Sequence, residues 1–171
     1  MRKPRVLEKL ARYHVTARVN NKEFFIESNR AKALFVEVLL RAKQRFSFKI
    51  ENFVIMGNHF HLIIQPSENE NLSRIMQWIL SVYAMAYNRI TGRCGHFWGD
   101  RFFSRVLYSL AQYLMVFKYI DDNPLSANIY TNSEWQYCGS FHRRHGLFYL
   151  IDKLPSLINL VVQNTTLFVL D

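Results

Sequence analysis

The sequence predicts an α+β fold, one antiparallel sheet with helices on one face, and three observations carry this. Apolar residues recur at helical spacing in two stretches, Ala31 to Ala42 and Leu72 to Tyr87. Between them lie two β-rich apolar runs separated only by Gly57-Asn58, the mark of a tight hairpin. Further β-branched and aromatic runs stand before the first helix and after the second. The order is therefore β-α-β-β-α-β, the ferredoxin-like pattern, with another helix behind it.

Arg12 to Val19 alternates roughly and reads as the first strand, with Asn20-Asn21 as its turn. Ser28 or Asn29 caps a helix whose basic residues Arg30, Lys32, Arg41, Lys43 and Arg45 are expected to spread towards solvent. Phe48 to Met56 and His59 to Gln65 are the hairpin strands, with Gly57 expected at positive φ in the turn. Pro66 closes the second strand, and Ser67 to Asn71 is a polar loop. Asn71 caps the second helix, which runs to about Ile90 and ends in the turn residues Thr91 to Gly95. Phe102 to Leu107 is the fourth strand. Ser109 opens a third helix that Pro124 should end. Beyond it, residues from about 135 to 171 read as a C-terminal extension packed back onto a single domain, 1–171, through Trp135, Tyr137 and Phe141.

Composition narrows the function. Half of the 171 residues are hydrophobic and 15% are aromatic, so an ordered core is expected. Basic residues outnumber acidic ones by 22 to 13, a formal +9 that points to a polyanionic partner, most simply nucleic acid. Cys94 and Cys138 match no metal-ligand spacing, so a reduced, cytoplasmic protein is the expectation. No apolar run follows Arg2, Lys3 and Arg5 to make a signal peptide, and none is long enough for a membrane span.

The chemistry centres on Asn58-His59-Phe60-His61. Side chains alternate along a strand, so His59 and His61 share one face while Phe60 turns to the core. Two imidazoles so held can share one divalent metal and leave coordination positions open. A strand histidine is more often simply packed, so a second constellation matters. Tyr119 and Asn123 supply it, four residues apart on one face of the third helix. Arg93, Arg101 and Arg105 flank a loop containing Phe97 and Trp98. That arrangement suits phosphate contacts with base stacking, and equally a basic surface loop with a packed Trp.

Taken in series, the motifs resemble a known family. They are Tyr13-His14-Val15-Thr16, Val54-Ile55-Met56-Gly57-Asn58-His59-Phe60-His61-Leu62, Leu72-Ser73-Arg74-Ile75-Met76, Tyr87-Asn88, Gly92-Arg93 with Trp98 and Arg101-Phe102, and Tyr119-Ile120-Asp121-Asp122-Asn123-Pro124. In this order the chain resembles the REP-associated tyrosine transposases, IS200-like members of the single-tyrosine HUH endonuclease superfamily. Gly57 departs from the proline common at that place, which touches no chemical group.

The resemblance implies a DNA transposase acting on single-stranded or hairpin DNA of repeated palindromic elements, as monomer or homodimer. It implies a divalent metal, Mg²⁺ or Mn²⁺, on His59, His61 and Asn123. It also implies attack by Tyr119 to give a 5′-phosphotyrosine link, with the metal or Lys118 helping the phenol to ionise. Tyr113 is a rival nucleophile on the same helix, but it lies ten residues from Asn123. Two other readings compete. One is a catalytically inert single-strand binder of the same topology, although no RNP1 pattern is present. The other is a metal hydrolase, but barrel hydrolases need about 250 residues.

Overall fold

In the computed structural model, residues 7–128 and 135–167 are described, with side chains to residue 162. The elements are β1 (Tyr13–Arg18), α1 (Asn29–Arg45), β2 (Phe48–Ile55), β3 (His59–Pro66), α2 (Leu72–Thr91), β4 (Phe103–Val106), α3 (Leu110–Ser126), α4 (Gly139–Arg144) and α5 (Ser156–Leu167). The four strands form one sheet in the order β2-β3-β1-β4, every neighbour antiparallel. This is the predicted α+β, ferredoxin-like arrangement.

Strand alternation gives the sheet two faces. On the first, Tyr13, Val15 and Ala17 of β1 and Phe60, Leu62 and Ile64 of β3 are buried. They pack against Phe35, Val38 and Leu39 of α1 and Ile75, Met76, Ile79 and Tyr83 of α2. Both helices are capped as the sequence predicts. Ser28 Oγ accepts from the Ala31 N–H at 3.1 Å, and Asn71 Oδ1 from the Ser73 N–H at 2.8 Å. Gly92 ends α2 in the left-handed conformation, φ 68°.

The second face carries α3, whose Tyr113, Phe117 and Ile120 pack on Val54, Met56 and Ile63. A bulge in β2 makes this possible. The register jumps between Ile50 and Asn52, so Phe48 and Ile50 face α1 and α2 while Asn52 and Val54 turn towards α3. The extra residue, Glu51, is buried and pairs with Arg12 at 2.8 Å.

The chain beyond α3 returns along the outer edge of β2. The Ile55 N–H donates to Tyr137 O at 2.9 Å, and Val54 bridges to Cys138. The Trp135 indole N–H donates to Ile55 O at 3.2 Å. Lys43 reaches Leu150 O at 3.0 Å and Asp152 at 2.5 Å.

Three expectations are corrected. Gly57 is not at positive φ; the glycines that are lie at 92, 95 and 146. A Cβ at Gly57 would sit 2.8 Å from Cδ1 of the exposed Phe24 ring, which would have to shift. Pro124 does not end α3, which continues to Ser126. The turn beyond it is closed by the Ala127 N–H, which donates to Asn123 O at 3.2 Å. Lys32 is buried rather than solvated, its ammonium on Glu27 O and over the Trp135 ring at 4.9 Å. Of the expected C-terminal extension, residues 168–171 lie outside the described ones.

Candidate active site

His59 and His61 stand on the second face of β3, as alternation requires, with ring centroids 5.1 Å apart and nearly perpendicular planes. Each ring is oriented through Nδ1. Asn58 uses its amide N–H to reach Lys22 O at 2.9 Å, so its Oδ1 is the acceptor for His59 Nδ1 at 2.7 Å. That assignment puts the proton on Nδ1 and leaves the Nε2 lone pair of His59 available. His61 Nδ1 lies 2.9 Å from Nε2 of His14 on the neighbouring strand, the two rings stacked at 5.1 Å.

The site keeps its imidazoles neutral. Burial, then the Arg18 charge, lowers His59 to about 4, opposed by a side-chain hydrogen bond to Asn123. Burial, then the neighbouring His14, His59 and Arg18, lowers His61 to about 3. His14 is lowered by burial and by Arg105. A neutral imidazole is the form that binds a metal.

α3 delivers the remaining groups. Tyr119 is 50% exposed, its ring edge-on to His61 at 5.2 Å and to His14 at 6.2 Å. One turn on, Asn123 is 9% exposed and close enough to His59 to oppose the lowering of its pKa. Tyr113 lies in the α3 core at 3% exposure, its ionisation pushed up by burial and then by Glu51. The helix is pinned to the sheet from its other side. Asp121 accepts two bonds from Arg143, at 2.7 and 2.9 Å, and one from Asn52 Nδ2 at 3.0 Å. Arg143 also donates to Asn52 Oδ1 at 3.1 Å, and its guanidinium lies 4.5 Å from the Phe117 ring centroid. Gly139 makes room, for a Cβ there would meet Asn52 Oδ1 at 2.0 Å.

The structure thus brings His59, His61, Asn123 and Tyr119 together, with Arg105 paired across strands to His14. Arg101 is exposed just ahead of β4. Lys118 is held by Asp122 at 2.9 Å, one turn along. Two expected DNA contacts are committed elsewhere. The Trp98 indole N–H donates to Leu80 O at 2.9 Å, and its ring packs on Phe35, Phe60 and Tyr83. Phe97 is 2% exposed and packs in the same core. Arg93 lies over the Phe25 ring at 3.8 Å. Sequence reasoning missed His14, Arg18 and Asn58 as site residues. The signal for the first two was present, because period-two alternation puts His14, Thr16 and Arg18 opposite the apolar Tyr13, Val15 and Ala17.

Among the described residues no three His, Cys, Asp or Glu side chains could together hold a metal ion. The Nε2 atoms of the two imidazoles and the Asn123 amide oxygen are the donor set, and it fits a divalent cation with open positions. No helix among the described residues is long and apolar enough to cross a membrane.

The family described as "Transposase IS200 like" matches residues 8–123. No curated protein matches the chain. Among solved structures, a REP-associated tyrosine transposase bound to a REP hairpin superimposes with a TM-score of 0.72 at 19% identity, covering 91% of this chain and 92% of that one. A transposase-designated protein of Deinococcus radiodurans superimposes with a TM-score of 0.51 at 13% identity, covering 71% of this chain and 97% of that one. At these identities the superpositions speak to fold.

Proposed function

The chain belongs to the IS200-like transposase family, and from that premise we propose that it cleaves and rejoins single-stranded or hairpin DNA through a 5′-phosphotyrosine intermediate on Tyr119. The observation that carries this is the half-exposed Tyr119 ring against His61, one helical turn from Asn123. The family and the hairpin bound by its structural neighbour support DNA as the partner.

His59 and His61, through Nε2, and Asn123, through its amide oxygen, would hold Mg²⁺ or Mn²⁺, which when bound polarises the scissile phosphoryl oxygens and offsets charge at the departing 3′ oxygen. Asn58 turns the Nε2 lone pair of His59 into the site by occupying Nδ1, and His14, accepting at Nε2 from His61 Nδ1–H, would do the same for His61. Arg18 and Arg105 place positive charge beside the histidines, where phosphates of the strand approach. Tyr119 loses its proton and its phenolic oxygen attacks phosphorus. The bond to the 3′ oxygen breaks, and that oxygen leaves as a hydroxyl after taking a proton. Attack by a 3′-hydroxyl on the phosphotyrosine reverses the step and regenerates the phenol. One phosphodiester is exchanged for another, so rejoining needs no nucleotide fuel.

Incubation of hairpin oligonucleotides carrying single-stranded flanks with protein and Mn²⁺ tests this on a denaturing gel. A covalent protein–DNA species is expected from the unaltered protein, and none from His59→Ala or His61→Ala. Unchanged cleavage after loss of both histidines would remove the site assignment. Binding without any adduct would favour an inert single-strand binder of the same fold.

A further inference from the structure

The edge strand β4 carries a second feature on the same face. In Arg101-Phe102-Phe103-Ser104-Arg105-Val106, Phe102 and Val106 enter the main core at 6% and 5% exposure, whereas Phe103 is 58% exposed. Arg101 and Arg105 are exposed as well, and neither pairs with a carboxylate among the described residues. Pairing places Phe103 opposite Thr16, and Thr16 opposite His61. The three residues form one cross-strand row, and Phe103 stands two strand spacings, about 10 Å, from His61. In the next row Arg105 lies beside His14.

A single exposed phenylalanine needs no explanation by itself. This one alternates with two unpaired arginines along an edge strand and shares a row with a histidine of the candidate site. From this we propose that Phe103 is a stacking ledge for an unpaired base. Arg101 and Arg105 then contact the phosphates on either side, and the ledge holds a nucleotide near the one being cleaved. The ledge rests on the transposase reading for its DNA, and adds to it a base-binding subsite on β4. Charge selects this occupant over a second copy of the chain. Antiparallel pairing of two β4 edges would set arginine against arginine, in a protein already at +9. An anionic strand with π faces satisfies both side-chain types at once.

Fluorescence anisotropy with a single-stranded oligonucleotide, in EDTA so that no cleavage occurs, tests the ledge. Phe103→Ala should bind about 5- to 150-fold more weakly. Phe103→Trp, which keeps a π face, should stay within about twofold of the unaltered protein, whereas Phe103→Leu should resemble the alanine variant. A 2-aminopurine scan along the strand should show one position whose quenching requires an aromatic at 103. Equal binding by Phe103→Ala overturns the inference. A shift to a smaller oligomer on Phe103→Ala, seen by sedimentation without DNA, overturns it too by assigning the residue to a contact between copies. Adduct formation in Mn²⁺ scores the transposase reading separately, since the binding assay contains neither metal nor chemistry.

Discussion

The two faces of the sheet are built from the same strands and do opposite things. On one, Tyr13, Val15 and Ala17 are at most 5% exposed beneath two helices. On the other, the alternate residues of β1 are His14, Thr16 and Arg18, while α3 packs on β2 and β3 and α4 on β2. Cover therefore stops partway across the second face. The histidines of β3 lie at that border, half under α3 and half towards β1 and β4. The closed face makes the strands rigid, and the half-open face uses that rigidity to hold ligating groups within reach of a helix-borne tyrosine.

The largest effect should come from the closed face. Phe60 sits between His59 and His61 but points the other way, with its ring centroid 4.7 Å from that of Phe35 and 5.7 Å from that of Trp98. Phe60→Ala should cost about 3–5 kcal/mol in a denaturant titration, while His61→Ala leaves the fold in place. Comparable losses for the two would erase the distinction between the faces.

Next comes the anchor of α3. Asp121→Asn leaves the Arg143 guanidinium without its ion pair at a site where both side chains are under 20% exposed. A stability loss of about 2 kcal/mol is expected, below the value for a fully buried pair. Adduct formation should fall by about tenfold in the folded variant, because Tyr119 and Asn123 share the helix that Asp121 fixes. Full adduct formation at reduced stability would show that the anchor serves the fold alone.

The open face should also set the acid response of the metal-free protein. His59 and His61 titrate near 4 and 3 when folded, against 6.5 ordinarily. As pH falls below 6.5, the unfolded chain takes up protons on these rings that the folded chain refuses, so stability declines towards pH 4. His61→Gln should flatten that decline by on the order of 1 kcal/mol per pH unit. An unchanged slope would mean that the ring is not held neutral.

Smallest is Lys118→Ala. Its ion pair with Asp122 is exposed, so stability should change by less than about 0.5 kcal/mol. Adduct rates should hold. A steep fall in rate would return Lys118 to the role of lowering the Tyr119 barrier.

Much of this was legible because it depends on local periods. Alternation alone put His59 and His61 on one face, and helical spacing put Tyr119 beside Asn123. The caps at Ser28, Asn71 and Ser109 were readable for the same reason. What escaped depends on pairing between distant segments. His14 meets His61 only through the register of β1 on β3, 47 residues apart. The Asn52–Asp121–Arg143 anchor needs a bulge at Glu51 that no sequence period announces. Trp98 was ambiguous, since an aromatic loop beside arginines reads alike whether its rings face bases or a core. Only the packing of Trp98 on Phe35 and Phe60 decides that.

The central claim is that the half-exposed tyrosine at the border, and not the buried one six residues earlier, is the nucleophile. Proteolysis of a trapped DNA adduct followed by mass spectrometry tests it directly. The nucleotide should map to the peptide position of Tyr119, and Tyr119→Phe should bind DNA yet form no adduct. A nucleotide on Tyr113, or an adduct formed by Tyr119→Phe, would contradict it.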